Sequence, residues 1–164
     1  MSLENTWRCS VGRYPKSCDE VLAEIEARHK IFVDNGWQPL IVDDQAILYR
    51  LVMQDKIDTN TNKPTPSDFD NYGLSVYVDS LNFPEINITE ILANNSKFVG
   101  VVSIPASFMI ELGFEIIHDP HPSRTGDSQH SNHAQVVCKK TTGKTNQIRN
   151  KCNWVMCPDL PSIN

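Results

Sequence analysis

Four of the five histidines, His118, His121, His130 and His133, follow one another as H-x-x-H, eight residues, then H-x-x-H, with Asp119 and Asp127 between them. Neutral imidazole is a common ligand for zinc and related metals, and a loop between two strands can wrap several rings around one ion. On that reading His118, His121, His130 and His133 are metal ligands, and the chain is a metal-dependent hydrolase. H-x-x-H on a loop, however, does not aim both rings to one side as i, i+4 spacing does on a helix. A second use needs His133 alone. It opens the apolar run HAQVV, so strand hydrogen bonds fix its position and its ring can serve as a general acid or base.

Two further residues stand out against apolar surroundings. Arg50 lies within AILYRLV, where a guanidinium must be paired or reach a cleft. Ser75 lies within LSVYV and has no base near it in sequence. No G-x-S-x-G turn surrounds it, which argues against a serine hydrolase. The run Gly143-Lys144-Thr145 suggests a phosphate loop, but Cys138 stands where the first glycine of that motif belongs.

Charge narrows the partners. The chain of 164 residues has net charge -5 and pI ≈ 5.5, which speaks against a general nucleic-acid binder. Between Asp127 and Asp159 there is no acidic residue, while Lys139, Lys140, Lys144, Arg149 and Lys151 fall in that interval. Together with Asp119 and His133, Lys139, Lys140 and Lys144 form a candidate ligand-binding face for a phosphate group or an acidic protein surface. The sequence specifies no cofactor.

Five cysteines, Cys9, Cys18, Cys138, Cys152 and Cys157, make an odd set with no regular framework, so buried free thiols in a reducing compartment are expected. Cys152 and Cys157 are close enough to share a zinc, but no second pair matches them. The first residues lack the basic and apolar regions of a secretory leader, and no window reaches the length of a membrane span. A cytoplasmic protein without a membrane partner is the expectation.

The elements that must carry these residues read as one α+β domain over 1–164, with three to four short helices and a mixed or mostly antiparallel sheet. Residues 1–16 form an irregular lead-in. Ser17 and Glu20 have capping-box spacing and start a helix whose apolar residues Val21, Leu22, Ile25 and Phe32 share a face, with Asn35-Gly36 as its stop. WQPLIV, AILYRLV, LSVYV, KFVGVVSIP, FEII and HAQVV read as strands. NITEILANN and PASFMIEL read as short helices, and TGKTNQIRNK as a polar final one. Residues 54–73 are a long polar loop, either a lid or a surface insertion. Trp154, Val155 and Met156 dock the tail.

LYR at 48–50, GLSV at 73–76, GVVSIPA at 100–106, ELGFEIIHDP at 111–120 and HAQVV at 133–137 resemble, in this order, a group of small, poorly characterised prokaryotic proteins. Such proteins accompany larger multi-domain systems, including conflict and defence loci, so the resemblance implies an accessory module whose partner is a larger protein of the same system. His133 and Asp119 fit its pattern; His118, His121 and His130 are not part of it. A more distant similarity is to ADP-ribosyltransferase-like folds, in which an Arg on an early strand and a Ser on a second clamp a nicotinamide dinucleotide. It implies a nucleotide-using enzyme with Arg50, Ser75 and His133 as its catalytic residues, although the acidic residue of a late strand has no counterpart here. The first expectation is therefore an interaction module working through the His133 and lysine face, with the transferase-like enzyme and the metal-dependent hydrolase as alternatives.

Overall fold

The computed structural model describes residues 17–122, 128–129, 131–138 and 142–158; His130, Lys139 and Lys140 lie outside the described residues. The first helix, α1 (Cys18–Val33), starts as its sequence dictates. The Ser17 side chain accepts a hydrogen bond from the Glu20 amide at 3.1 Å, a cap that contributes about 1 kcal/mol. Its buried residues are Val21, Ile25, Arg28 and Phe32, a stripe at helical spacing that includes one cation. Gly36, with φ 86, turns the chain out of the helix in a conformation that a side chain would strain.

A six-stranded sheet forms the centre. Its strands are β1 (Ile47–Met53), β4 (Gly73–Asp79), β5 (Phe98–Pro105), β6 (Glu115–His118), β9 (His133–Val137) and β10 (Asn153–Met156), in the spatial order β10-β5-β1-β4-β9-β6. Every pairing in it is antiparallel. With helices α2 (Ile88–Ala93), α3 (Ala106–Glu111) and α4 (Thr142–Lys151), this is the expected α+β domain. Among the described residues, no helix is long and apolar enough to cross a membrane.

Strand alternation gives the sheet two unlike faces. Leu48, Val52, Leu74, Val76, Val78, Val102, Ile104 and Val136 point to one face and are fully buried in the main core, together with Phe69, Met109 of α3 and Ile148 of α4. Each such side chain contributes roughly 1.5–3 kcal/mol of burial. On the other face a smaller cluster joins Val21 and Ile25 of α1 to Val137 of β9. Helix α1 thus lies over the β9 side of the sheet.

Three sequence expectations change. WQPLIV forms no strand beyond a single bridge between Ile41 and Ile117. Pro39 has no amide to donate, the Leu40 amide donates to the His118 ring instead, and Ile41 is 80% exposed. Residues 54–73 are not a plain loop: they hold two 3-10 turns and the small hairpin of β2 (Ile57–Asp58) and β3 (Lys63–Pro64). Phe69 is fully buried there, and the Trp154 indole donates to the Asn62 carbonyl at 2.7 Å, tying the hairpin to the edge strand β10. Trp154 and Met156 accordingly extend the sheet rather than merely docking a tail.

The third change concerns the cysteines. Cys18 and Cys138, 120 residues apart, form a disulfide, so two of the thiols expected to be free are joined. Spacing in the sequence carried no sign of this, because the contact arises only once α1 lies over the end of β9. Cys152 is free and buried, Cys157 free and exposed.

Candidate functional site

In the ladder between β4 and β9, Ser75 lies opposite Gln135 and Tyr77 opposite His133. Directly opposed residues share a face, so Ser75, Tyr77, His133 and Gln135 all point to the α1 side, away from the main core. His133 is diagonal to Ser75, within reach across the ladder, and its Nε2 lies 3.0 Å from the Ser75 hydroxyl. The base missing from the sequence around Ser75 is thus supplied by the neighbouring strand.

The second ring nitrogen fixes the direction of that bond. His133 Nδ1 lies 2.6 Å from the backbone carbonyl of Asp119. A carbonyl can only accept, so Nδ1 carries the proton and donates; in neutral imidazole Nε2 then holds the lone pair, and the Ser75 hydroxyl donates to it. His133 is 2% exposed, whereas Ser75 is exposed. The hydroxyl is the solvent-facing end of a buried chain of hydrogen bonds.

Asp119 anchors the inner end. It is fully buried; its amide donates to the His133 carbonyl at 2.8 Å, and Pro120 behind it favours the extended conformation this requires. Its carboxylate takes a two-pronged ion pair from Arg28 of α1, Nε to Oδ1 at 2.8 Å and Nη2 to Oδ2 at 2.9 Å. Gln135 Nε2 donates to Oδ2 at 2.7 Å. Oδ2 is also 3.9 Å from His133 Nδ1, close enough to favour an imidazolium when one forms.

Arg50 is adjacent to this chain but not part of it in the expected way. It alternates with Leu48 and Val52, which puts its side chain toward the main-core face, opposite the Ser75 hydroxyl. Its guanidinium meets Asp68 through Nη2 to Oδ1 at 3.2 Å, and Nη1 donates to the Ser75 carbonyl at 3.1 Å. Arg50 therefore grips the main chain of Ser75 rather than sharing a ligand with its hydroxyl. The ring of Tyr77 stands edge-on to His133, centroids 5.5 Å apart. Burial raises the Tyr77 phenol above its ordinary range, against the opposing pull of the Arg50 charge, so it stays protonated near neutral pH.

Of the four histidines, His118 and His133 do not meet. His118 Nδ1 accepts from the Leu40 amide at 2.9 Å, which leaves Nε2 protonated and donating to the Ser131 carbonyl at 2.6 Å. Both nitrogens are occupied by main-chain groups, and both nitrogens of His133 are occupied as well. Because His118 pairs with Ala134, the two rings lie on opposite faces of the sheet. His121 enters β7 (His121–Pro122), which pairs with β8 (Ser128–Gln129); its side chain, like all of His130, is outside the described residues. Among the described residues, no cluster of three His, Cys, Asp or Glu could hold a metal ion.

Of the lysine face, Lys144 is placed apart from His133. Lys144 sits on α4, on the main-core side, where its ammonium donates to the Leu112 carbonyl at 2.8 Å and lies over the Phe114 ring. It does not join His133. Lys139 and Lys140 fall outside the described residues.

Arg28, Gln135 and Tyr77 were not singled out from sequence. Arg28 did leave a signal: it stands between Ile25 and Phe32 on the apolar stripe of α1, where a cation needs a buried acid. Gln135 and Tyr77 left none, since their part depends on the β4–β9 register. No protein-family model matches the chain, and neither a curated protein nor a solved structure is similar to it.

Proposed function

We propose that the chain is an enzyme acting through Ser75, a hydrolase or acyl transferase for an activated ester or thioester. One observation carries this reading: an exposed serine hydroxyl lies 3.0 Å from Nε2 of a buried histidine whose Nδ1 is held by a carbonyl, so that Nε2 of the neutral ring is the acceptor. Nucleophile, base and orienting group are the recurring parts of covalent catalysis, recognised by geometry and not by sequence position. The missing G-x-S-x-G turn speaks against one fold that uses this chemistry, not against the chemistry.

In this reading Ser75 Oγ adds to the substrate carbonyl as its proton passes to His133 Nε2. The imidazolium, with the Asp119 carboxylate 3.9 Å away, returns that proton to the leaving oxygen or sulfur. Water or an acceptor alcohol then adds to the acyl-serine, His133 taking its proton and passing it to Ser75 Oγ as the bond between that oxygen and the acyl carbon breaks. Arg50 keeps the Ser75 main chain in place, and Tyr77 contributes a protonated hydroxyl on the same face.

The test is labelling by a fluorophosphonate probe together with hydrolysis of p-nitrophenyl acetate. The expected outcome is covalent label on Ser75, lost in Ser75→Ala and lowered roughly a hundredfold or more in His133→Gln. A folded wild-type chain that neither takes label nor turns over would defeat the proposal.

That result would favour the interaction module. A specific observation moves such a module away from the His133 face: Ile41 is 80% exposed and lines a groove of about 520 Å³ together with Ile110, Phe114 and Ile116. Exposed large apolar side chains of this kind suit a protein partner.

A further inference from the structure

The geometry points to the Cys18–Cys138 disulfide as a reversible latch that holds α1 over the Ser75 site. Cys18 is the first residue of α1, and Cys138 follows directly on β9, whose other end carries His133. Between these points α1 touches the sheet through a small cluster, Val21 and Ile25 against Val137, with Leu22 and Ile117 beside it. About one helical turn further along its face, Arg28 holds the Asp119 carboxylate. The covalent link and the ion pair thus hold the first turns of the docked helix, with modest apolar contact between them, while its last turns are held separately by His29 at the His118 carbonyl and Phe32 against Trp37.

The rest of the fold does not depend on the link. The main core lies on the opposite face, built from the sheet, α3 and α4, and contains no residue of α1. Cutting the disulfide therefore loosens the first turns of α1, whose apolar support is slight, while leaving the six-stranded sheet in place. Both cysteines are half-buried rather than enclosed, so a dithiol can reach them.

The chemistry is a two-electron exchange. A reductant thiolate attacks Cys138 Sγ, forming a mixed disulfide and releasing Cys18 as a thiolate. The second thiol of the reductant then displaces Cys138, and the reductant leaves as its own disulfide. Two electrons enter the protein and two thiols result. Oxidation by a disulfide reagent reverses each step.

When the latch opens, the first turns of α1 fray. Arg28 spends part of its time away from Asp119, and the carboxylate then lacks the group that holds Asp119, and through it His133, in position. For its activity arm alone, this inference rests on the reading of Ser75 as a nucleophile.

The test is hydrogen exchange of the full chain, followed by peptide mass spectrometry with and without dithiothreitol. Reduction should speed exchange in the 18–28 peptides by roughly tenfold or more while peptides from β4, β5 and β1 stay unchanged, as expected of a local opening. A Cys18→Ser/Cys138→Ser variant should show the fast exchange in either buffer. Unchanged exchange in α1 on reduction overturns the latch. So does uniform acceleration across the sheet, which would make the disulfide a global staple. Fluorophosphonate labelling in parallel should slow several-fold on reduction. If no label is taken in either state while α1 still loosens, the latch stands and the Ser75 proposal falls.

Discussion

Asp119 and His133 are joined twice, the Asp119 amide donating to the His133 carbonyl at 2.8 Å and His133 Nδ1 donating to the Asp119 carbonyl at 2.6 Å. The imidazole is therefore oriented by main chain, while the carboxylate is turned toward Arg28 and Gln135. Orientation of the base and burial of a charge are separate tasks here, carried by different atoms of one residue.

That separation makes the Arg28–Asp119 pair a question of stability first. Both side chains are almost wholly buried, at 7% and 0% exposure, so removing one leaves the other charge without compensation. Arg28→Met is expected to cost about 3–5 kcal/mol, read from urea unfolding, and Asp119→Leu a similar amount. The Arg28→Met/Asp119→Leu double variant should recover much of the loss. Additive losses in that cycle would mean that the two charges do not compensate each other.

Gly73 faces α1 at the end of β4, and there a Cβ would overlap Gln135 Oε1 and come within 2.9 Å of Val21 Cγ1. Gln135 lies across the strand only because the glycine leaves room. Gly73→Ala should destabilise the chain by about 1–3 kcal/mol through overpacking. Gly73→Ala/Gln135→Ala should regain part of that, since the nearer obstacle is gone. A measured midpoint for Gly73→Ala equal to that of the parent would refute the close approach.

How far the sequence disclosed this arrangement depends on the range of the interaction. Local chemistry was legible: Ser17 capping Glu20, the short helix within NITEILANN, and the apolar runs of LSVYV and HAQVV as strands all appear in the structure. Contacts set by register were not. Ser75 and His133 are 58 residues apart and meet only because β9 inserts between β4 and β6. The same insertion sends His118 and His133 to opposite faces, which parts two of the four histidines whose spacing suggested a metal centre. Cys18 and Cys138 give the longest example, joined across 120 residues by the docking of α1.

The two free cysteines should differ in reactivity. Burial pushes the Cys152 thiol up to about 11, helped by the Asp68 charge and opposed by Lys63 and Arg149. Its thiolate, the reactive form, is therefore scarce at pH 8, and Cys152 Sγ donates to the Arg149 carbonyl at 3.1 Å. Cys157 is exposed. Iodoacetamide at pH 8 should label Cys157 within minutes and Cys152 only when urea unfolds the chain, as peptide mapping would show. Equal native-state labelling of the two would contradict the burial argument.

His118 gives the fold a dependence on acid. Burial lowers its folded-state value below the ordinary 6.5, a shift that the hydrogen bond to Ser131 opposes only in part. Below about pH 6.5 the unfolded chain takes up a proton at this position that the folded chain refuses, so stability falls as the pH drops. The contribution is present above that value and is lost as the pH falls from it through the folded-state value. His118→Asn keeps an acceptor for the Leu40 amide and cannot titrate. It should be less stable than the parent at pH 7.5 by about 1–3 kcal/mol, because the Ser131 carbonyl loses its donor. Its urea midpoint should then change less than the parent's between pH 7.5 and 5.5. If parent and variant lose stability equally over that range, the acid sensitivity belongs to another group and the neutral, doubly bonded His118 ring is not its source.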